Sequence, residues 1–131
     1  TTIGTLSAND FITPHLGEAE RLGAGSVAEL TNLTNAVVVL KGSITQIGQS
    51  GRETRSIGPN DSELATAGTG DVLAGIIGAL AAANPTADGM DIAALAVEIH
   101  SEACRRASKG GPVVALDVAE AVREVVRDWR E

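Results

Sequence analysis

Residues 36–40 form an unbroken apolar run, with valine at each of positions 37, 38 and 39. A strand that is buried on both faces has a continuous run of this kind, whereas a strand with one solvated face alternates polar and apolar residues. Hydrophobic residues make up 44% of the 131-residue chain and aromatic residues only 2%, so the core must be aliphatic. The sequence therefore predicts one domain of tightly packed layers, in which strands lead and helices follow as in an α/β or α+β unit.

Charge and aromatic content exclude nucleic acid as a partner. The formal net charge is −7, and the sequence has no stripe of Lys and Arg. Binding to a phosphate backbone needs clustered cations. A platform for single strands would need stacked aromatic rings, which this composition does not supply.

The composition also predicts a cytoplasmic protein that binds no metal through a dedicated cluster. Cys104 is the single cysteine, and the chain has no Cys-x-x-Cys or His-x-x-x-His pair with which to hold a metal ion. The most apolar stretch, residues 72–83, is too short and too rich in Gly and Ala to cross a bilayer, so no membrane contact is expected.

Periodicity and capping signals predict the elements of the first half of the chain. Ser26, followed by Glu29 three residues later, has the pattern of a capping box, which predicts a short helix through Leu33. Apolar runs and turn residues predict the other elements of this half: strands at 11–13, 36–40, 44–47 and, weakly, 52–57, with a helix at 17–22.

Three helices are predicted for the second half, at 71–83, 91–108 and 117–129. The first is apolar on nearly every face and should be buried, with Gly75 and Gly78 allowing close approach of a neighbour. In the second, His100 and Cys104 share the apolar face with alanine and valine, so His100 is interpreted as a core or subunit-contact residue and Cys104 as a small buried hydrophobic residue. The third should point Val118, Val122, Val125 and Trp129 inward, and a turn at Gly110-Gly111 should end the second.

A glycine-rich loop precedes the helix at 71–83. Gly68-Thr69-Gly70-Asp71 allows a tight turn, and its backbone N–H groups, together with the positive end of the helix dipole, would bind a phosphate. A carboxylate beside a phosphate is useful mainly as a general base that takes a proton from an attacking hydroxyl. Asp71 is therefore a candidate base, and the alternative interpretation is an ordinary helix cap.

Two further motifs carry candidate site residues. In Thr13-Pro14-His15-Leu16-Gly17-Glu18, His15 either contacts a ligand or bonds to the backbone of its loop. Glu18 either supports a pocket or a water-bridged Mg²⁺, or is a favourable first-turn acid. Lys41, at the tip of the strand at 36–40, begins Lys41-Gly42-Ser43-Ile44-Thr45. Its ammonium group can reach a phosphate, and the alternative interpretation is a solvated lysine at a strand end.

Together these three motifs resemble the ADP- or ATP-dependent NAD(P)H-hydrate dehydratases, a branch of the ribokinase-like superfamily, in the same order and over nearly the whole chain. The resemblance implies a three-layer α/β/α sandwich. The family's catalytic domain is about twice as long, so residues 1–131 correspond to its C-terminal half. It also implies an oligomer, and this half alone is expected to be inactive and to self-associate through exposed edges and faces.

The resemblance implies the following site. His15, Glu18 and Asp71 would contact the hydrated dinucleotides NADHX and NADPHX. Asp71 would deprotonate the C6 hydroxyl, which attacks the terminal phosphoryl of ADP (or ATP, with Mg²⁺), and elimination of phosphate would leave NAD(P)H and AMP. The nucleotide would be bound by Lys41, Gly42, Ser43, Ile44 and Thr45 together with Thr66, Gly68, Thr69 and Gly70.

Two alternatives remain beside this lyase activity. One is a kinase of the same superfamily that phosphorylates a sugar or a hydroxymethylpyrimidine; His15 favours the dehydratase, because such kinases often carry Asn at this place. The other is a catalytically inactive, nucleotide-binding fragment.

Overall fold

A mixed sheet runs through the protein, whose computed structural model describes residues 6–59, 69–108 and 115–130. Within these residues it has four strands in the order β1-β2-β3-β4. β1 pairs in parallel with β2, and the other neighbours are antiparallel. The strands are β1 (Phe11–Ile12), β2 (Val37–Leu40), β3 (Thr45–Gly48) and β4 (Arg55–Ile57).

Helices lie on both sides of the sheet. They are α1 (Leu16–Arg21), α2 (Val27–Thr34), α3 (Thr69–Ala83), α4 (Gly89–Ala107) and α5 (Ala115–Trp129).

The central strand β2 is buried on both faces, as the apolar run predicts. Val37 and Val39 pack into one core cluster with residues of α3, α4 and α5. Val38 and Leu40 pack into a second cluster with residues of α1 and α2. Because successive side chains of a strand point to opposite faces, one four-residue strand joins the two cores. The predicted α/β/α layering is confirmed.

Predicted element boundaries agree with the structure to within about three residues. α3 begins at Thr69, two residues before the predicted start at Asp71. β4 is shorter than predicted because the chain turns at Gly51, with φ of 77°, and the amide of Arg52 bonds to the carbonyl of Gln49. The turn predicted at Gly110-Gly111 lies outside the described residues.

The helix α2 is capped at both ends, and Ser26 is its N-cap, as the sequence predicts. The Ser26 hydroxyl accepts a hydrogen bond from the amide of Glu29 at 3.2 Å. The reciprocal contact is different, because the Glu29 carboxylate accepts from the amide of Gly25 at 2.8 Å instead of from Ser26. Asn35 ends the helix in the left-handed conformation, with φ of 58°, and thereby turns the chain into β2.

The prediction that α3 is buried on nearly every face is wrong. Leu73, Ile76 and Ile77 pack into the core, but a strip of small residues on the other face is exposed: Ala74, Gly75, Gly78 and Ala79. A Cβ atom added at Gly75 or Gly78 would meet nothing within 4 Å. Among the described elements, α3 packs mainly against α4 and α5, so its hydrophobicity is not matched by burial.

The prediction that Trp129 points inward is also wrong. Val118 and Val125 of the same helix are fully buried, whereas Trp129 is 47% exposed. It is the last residue of α5, and the buried part of the helix ends one turn before it.

One glycine sets the distance between α2 and the sheet. A Cβ atom at Gly48 of β3 would lie 2.3 Å from Cγ1 of Val27, well inside van der Waals contact. Both Gly48 and Val27 are buried, so neither the strand nor the helix can move aside without disturbing the second core cluster.

We expect Gly48→Ala to lower the free energy of unfolding by about 1–3 kcal/mol, the usual cost of overpacking a core. Gly75→Ala is the matched control, because its added methyl points into open space and should stabilise α3 by about 0.5–1 kcal/mol. Urea unfolding of the two variants measures both values. Equal effects of the two substitutions would contradict the close packing of α2 on β3.

Candidate active site

The loops that follow the two parallel strands meet at one edge of the sheet. His15, after β1, and Lys41, after β2, form an isolated parallel bridge. The amide of Lys41 donates to the carbonyl of Pro14 at 2.8 Å. The carboxyl ends of parallel strands are the usual location of ligand sites in α/β sheets. The sequence motifs indicate His15 and Lys41 as site residues, but they do not predict the hydrogen bond from Lys41 to the Pro14 carbonyl that joins the two loops.

The first turn of α3 reaches the same place. A Cβ atom at Gly70 would lie 2.8 Å from Nζ of Lys41, so the ammonium group lies against the backbone of Gly70. A side chain at this position would require the flexible end of Lys41 to shift away from the backbone. The contact brings together the motifs around residues 15, 41 and 70, and it joins the Lys41 charge to the positive end of the α3 dipole. The result is a site that favours an anion.

Asp71 follows directly, in the first turn of α3. Its side chain is exposed, so its carboxylate is accessible to a ligand. This position is compatible with both interpretations from the sequence, a general base beside a phosphate and an acid that stabilises the start of the helix.

His15 and Glu18 form a reciprocal capping box at the start of α1. The His15 Nδ1 accepts from the amide of Glu18 at 3.2 Å, and Oε1 of Glu18 accepts from the amide of His15 at 3.0 Å. The imidazole therefore bonds to the backbone, as one of the two sequence interpretations has it. The side chain is nevertheless 55% exposed, so the ring also remains accessible to a ligand.

The hydrogen bond from the His15 amide lowers the pKa of Glu18 below its ordinary value of 4.5, and the positive charges of nearby Lys41 and Arg21 act in the same direction. Partial desolvation opposes these effects. The influence of Lys41 on Glu18 is a further sign that the two motifs lie close together. Histidine is not among the usual capping residues, so the sequence does not predict the capping box of His15 and Glu18.

The remaining predicted nucleotide-binding residues are divided between the β2–β3 turn and the glycine loop. Gly42, Ser43 and Ile44 are exposed in the turn, and the Ile44 side chain is 53% exposed. Thr45 is buried as the first residue of β3. Thr66 and Gly68 lie outside the described residues, and Thr69 is the first residue of α3.

His100 and Cys104 lie in the core, as predicted. Both are buried, and Sγ of Cys104 is 3.8 Å from Nε2 of His100. Desolvation raises the pKa of the Cys104 thiol to about 11, so the residue is protonated and inert at neutral pH.

Neither a metal cluster nor a membrane span is found in the part of the chain that the structure describes. Over residues 6–59, 69–108 and 115–130, no three His, Cys, Asp or Glu side chains are grouped so that they could hold a metal ion. Within the same ranges, no helix has the length and apolar character needed to cross a membrane.

A ribokinase-like superfamily protein from Enterococcus faecalis superposes with a TM-score of 0.72 at 28% identity, over 91% of this chain and 44% of that one. The fold is therefore that of a ribokinase-like α/β protein. The ADP/ATP-dependent NAD(P)H-hydrate dehydratase from Bacillus subtilis, co-crystallised with ATP and Mg²⁺, superposes with a TM-score of 0.71 at 24% identity, over 91% of this chain and 47% of that one. The family model of NAD(P)H-hydrate dehydratase matches residues 4–126. The chain therefore belongs to the NAD(P)H-hydrate dehydratase family.

Two relatives show how the chain compares in length. A bifunctional NAD(P)H-hydrate repair enzyme from Mycobacterium tuberculosis is 39% identical over 84 residues, which cover 58% of this chain and 18% of the relative. An ADP-dependent (S)-NAD(P)H-hydrate dehydratase from Neisseria meningitidis is 39% identical over 85 residues, which cover 56% of this chain and 29% of the relative. The chain thus spans less than a third of these relatives and about half of the Bacillus chain.

We expect the contribution of Glu18 to stability to depend on pH. Its pKa is lowered in the folded chain, so the stabilisation is fully present above the ordinary value and is lost as the pH falls through the folded pKa. The measurement is the difference in unfolding free energy between wild type and Glu18→Gln, which should shrink from about pH 7 to about pH 3. Glu20→Gln, at an exposed acid of α1 outside the capping box, is the control, and an equal pH dependence there would contradict the assignment.

Proposed function

We propose that this chain carries the nucleotide-binding edge and the general base of an ADP-dependent NAD(P)H-hydrate dehydratase, which repairs NADHX and NADPHX. The observation that carries the proposal is the position of the Lys41 ammonium group against Gly70, 2.8 Å from where a Cβ would be. This contact supports the proposal because it brings a cation to the first turn of the helix that carries the exposed Asp71. A phosphoryl group and an attacking hydroxyl both fit there.

In the proposed reaction, Asp71 takes the proton from the C6 hydroxyl of the hydrated nicotinamide ring. The hydroxyl oxygen forms a bond to the terminal phosphorus of ADP, and the bond from that phosphorus to the bridging oxygen breaks, which releases AMP. The C6–O bond then breaks as the lone pair of the ring nitrogen forms a C=N bond, so that phosphate leaves with the C6 oxygen. Loss of a proton from C5 to water forms the C5=C6 double bond and restores NADH or NADPH. The protein contributes positioning and stabilisation of charge, as in other phosphoryl transfers.

Lys41 would neutralise charge on the transferred phosphoryl, with Gly42, Ser43, Ile44 and Thr45 along the nucleotide and Thr66, Gly68, Thr69 and Gly70 around its phosphates. His15 and Glu18 would lie on the dinucleotide side. The position of His15 beside Lys41 supports this division, because it puts the dinucleotide and the nucleotide phosphates within reach of each other.

The residues present fit a Mg²⁺ ion that is held mainly by the nucleotide. Mg²⁺ usually keeps several waters and takes one or two carboxylates together with substrate phosphates, and Asp71 and Glu18 are the exposed acids that the proposal assigns to this site. When bound, the ion would reduce the negative charge of the phosphates. The Bacillus dehydratase, which was co-crystallised with ATP and Mg²⁺, supports this expectation, and the Neisseria relative, named as ADP-dependent, supports ADP over ATP.

We place the protein in the cytoplasm as a homo-oligomer with small-molecule substrates. A kinase of the same superfamily would use the same base and anion site, so His15 remains the residue that favours the dehydratase. The exposed small-residue strip of α3 favours a second candidate, in which the chain by itself is an inactive nucleotide-binding half of the site.

Asp71→Asn should lower the rate of NADHX repair about a hundredfold or more while ADP affinity stays within about threefold, because the substitution removes the base and keeps the shape of the side chain. The assay requires a preparation that repairs NADHX, either the chain itself or the chain with the remainder of the domain. Asp117→Asn, a first-turn acid of α5, is the matched control for loss of an acid at a helix start. An Asp71→Asn rate near wild type would reject Asp71 as the base.

The chain alone is expected to show no NADHX repair and to self-associate at micromolar concentration. The reason is the exposed face of α3, together with an amount of chain that is about half that of the Bacillus dehydratase. Analytical ultracentrifugation and a repair assay on the same sample test both statements. A monomer that repairs NADHX would show that the chain already contains the whole site.

A further inference from the structure

The capping box of α1 determines which nitrogen of His15 carries the proton. We propose that it holds the neutral imidazole with its proton on Nε2, so that His15 offers a bound ligand a hydrogen-bond donor, and that Glu18 is the positioning residue. The ligand identity rests on the proposed function, which supplies oxygen acceptors on the hydrated dinucleotide. The tautomer of the neutral ring rests only on the geometry of the chain.

The contact to Nδ1 carries the first step. Nδ1 accepts a hydrogen bond from the backbone amide of Glu18 at 3.2 Å. A neutral imidazole has one donor nitrogen and one acceptor nitrogen. Because Nδ1 is occupied as the acceptor, the proton must be on Nε2, as when a hydrogen bond to one ring nitrogen sets the state of the other.

Glu18 holds this geometry from the opposite side. Its Oε1 accepts from the backbone amide of His15 at 3.0 Å, which fixes the backbone from which the imidazole projects. The same Oε1 is 3.4 Å from Nε2, longer than the usual 2.7–3.2 Å of an N–H···O hydrogen bond. The Nε2 proton is therefore only weakly engaged within the chain, and a ligand oxygen can take it.

Gly17 provides the space that the ring needs. A Cβ atom there would lie 3.1 Å from Cε1 and 3.3 Å from Nδ1 of His15. Gly17 is within α1, where alanine would favour the helix by about 1 kcal/mol. The glycine thus costs helix stability and leaves the ring free to bond to the Glu18 amide.

The inference separates the roles of His15 and Asp71. An imidazole held with Nδ1 as acceptor and Nε2–H as donor has no free lone pair for a substrate proton. His15 can then orient an oxygen of the ligand but cannot act as the base, and proton removal falls to Asp71. Both side chains are exposed and therefore accessible to a ligand.

The test is nitrogen-15 NMR of the imidazole in the ligand-free chain at about pH 8, above the ordinary pKa range of histidine. Variants with altered contacts at the ring are more decisive than wild type alone. We expect an Nε2–H form in wild type and in Glu18→Gln, which can complete the capping box. In Glu18→Ala and Gly17→Ala, the proportion of Nδ1–H should rise about fivefold, which corresponds to the loss of an ordinary hydrogen bond.

Glu20→Ala is the matched control on α1 and should leave the ring resonances unchanged. For Gly17→Ala, helix propensity alone predicts a more stable α1 and hence no rise in the proportion of Nδ1–H. The proposal predicts a rise, because the added methyl group displaces the ring. An Nδ1–H form in wild type would overturn the proposal. Unchanged proportions in both Glu18→Ala and Gly17→Ala would overturn the positioning role.

Addition of NADHX separates this inference from the proposed function. A shift of the Nε2 and attached-proton resonances in wild type supports donation to the ligand. If the tautomer behaves as expected but these resonances do not move, the ligand assignment is overturned, while the assignment of Glu18 as the positioning residue stands.

Discussion

The burial of β2 on both faces is the constraint on which the rest of this structure depends. Val37 and Val39 belong to one core, and Val38 and Leu40 belong to the other. Helices must therefore cover both sides of the sheet, so the side chains within β2 are not accessible to a ligand. Lys41 is the first residue after the strand, so the position of β2 in the core also fixes the position of this cation.

Glycines at three positions lie where an added Cβ atom would crowd a neighbouring side chain. Gly70 leaves room for the Lys41 ammonium group, Gly17 for the His15 ring, and Gly48 for Val27. The first two serve the site and the third serves the core. These glycines matter for the space that they leave to a neighbouring side chain and not for their flexibility. For Gly70 and Gly48 that neighbouring side chain is distant in sequence.

The sequence predicts what local patterns determine: the doubly buried strand at 36–40, the helix after Ser26 and the core positions of His100 and Cys104. It does not predict what depends on distant neighbours. The exposed face of α3 and the exposed Trp129 have apolar patterns but lack covering elements among the described residues. At the site, the three motifs are recognisable separately, but Lys41 pairs with His15 and lies against Gly70. These contacts join residues far apart in sequence, which no local pattern encodes.

The most direct test of the central claim, that Lys41 and Gly70 form one anion site, is a titration of the chain with ADP followed by amide chemical shifts. The account predicts that shifts concentrate at residues 41–45 and 69–71 and extend to His15, and that Lys41→Met weakens binding about tenfold or more, the value of a charge-assisted hydrogen bond. Arg123→Gln, which removes an exposed cation of α5, should bind as wild type does. Shifts confined to α4 and α5, or equal affinity for the Lys41 variant, would contradict it.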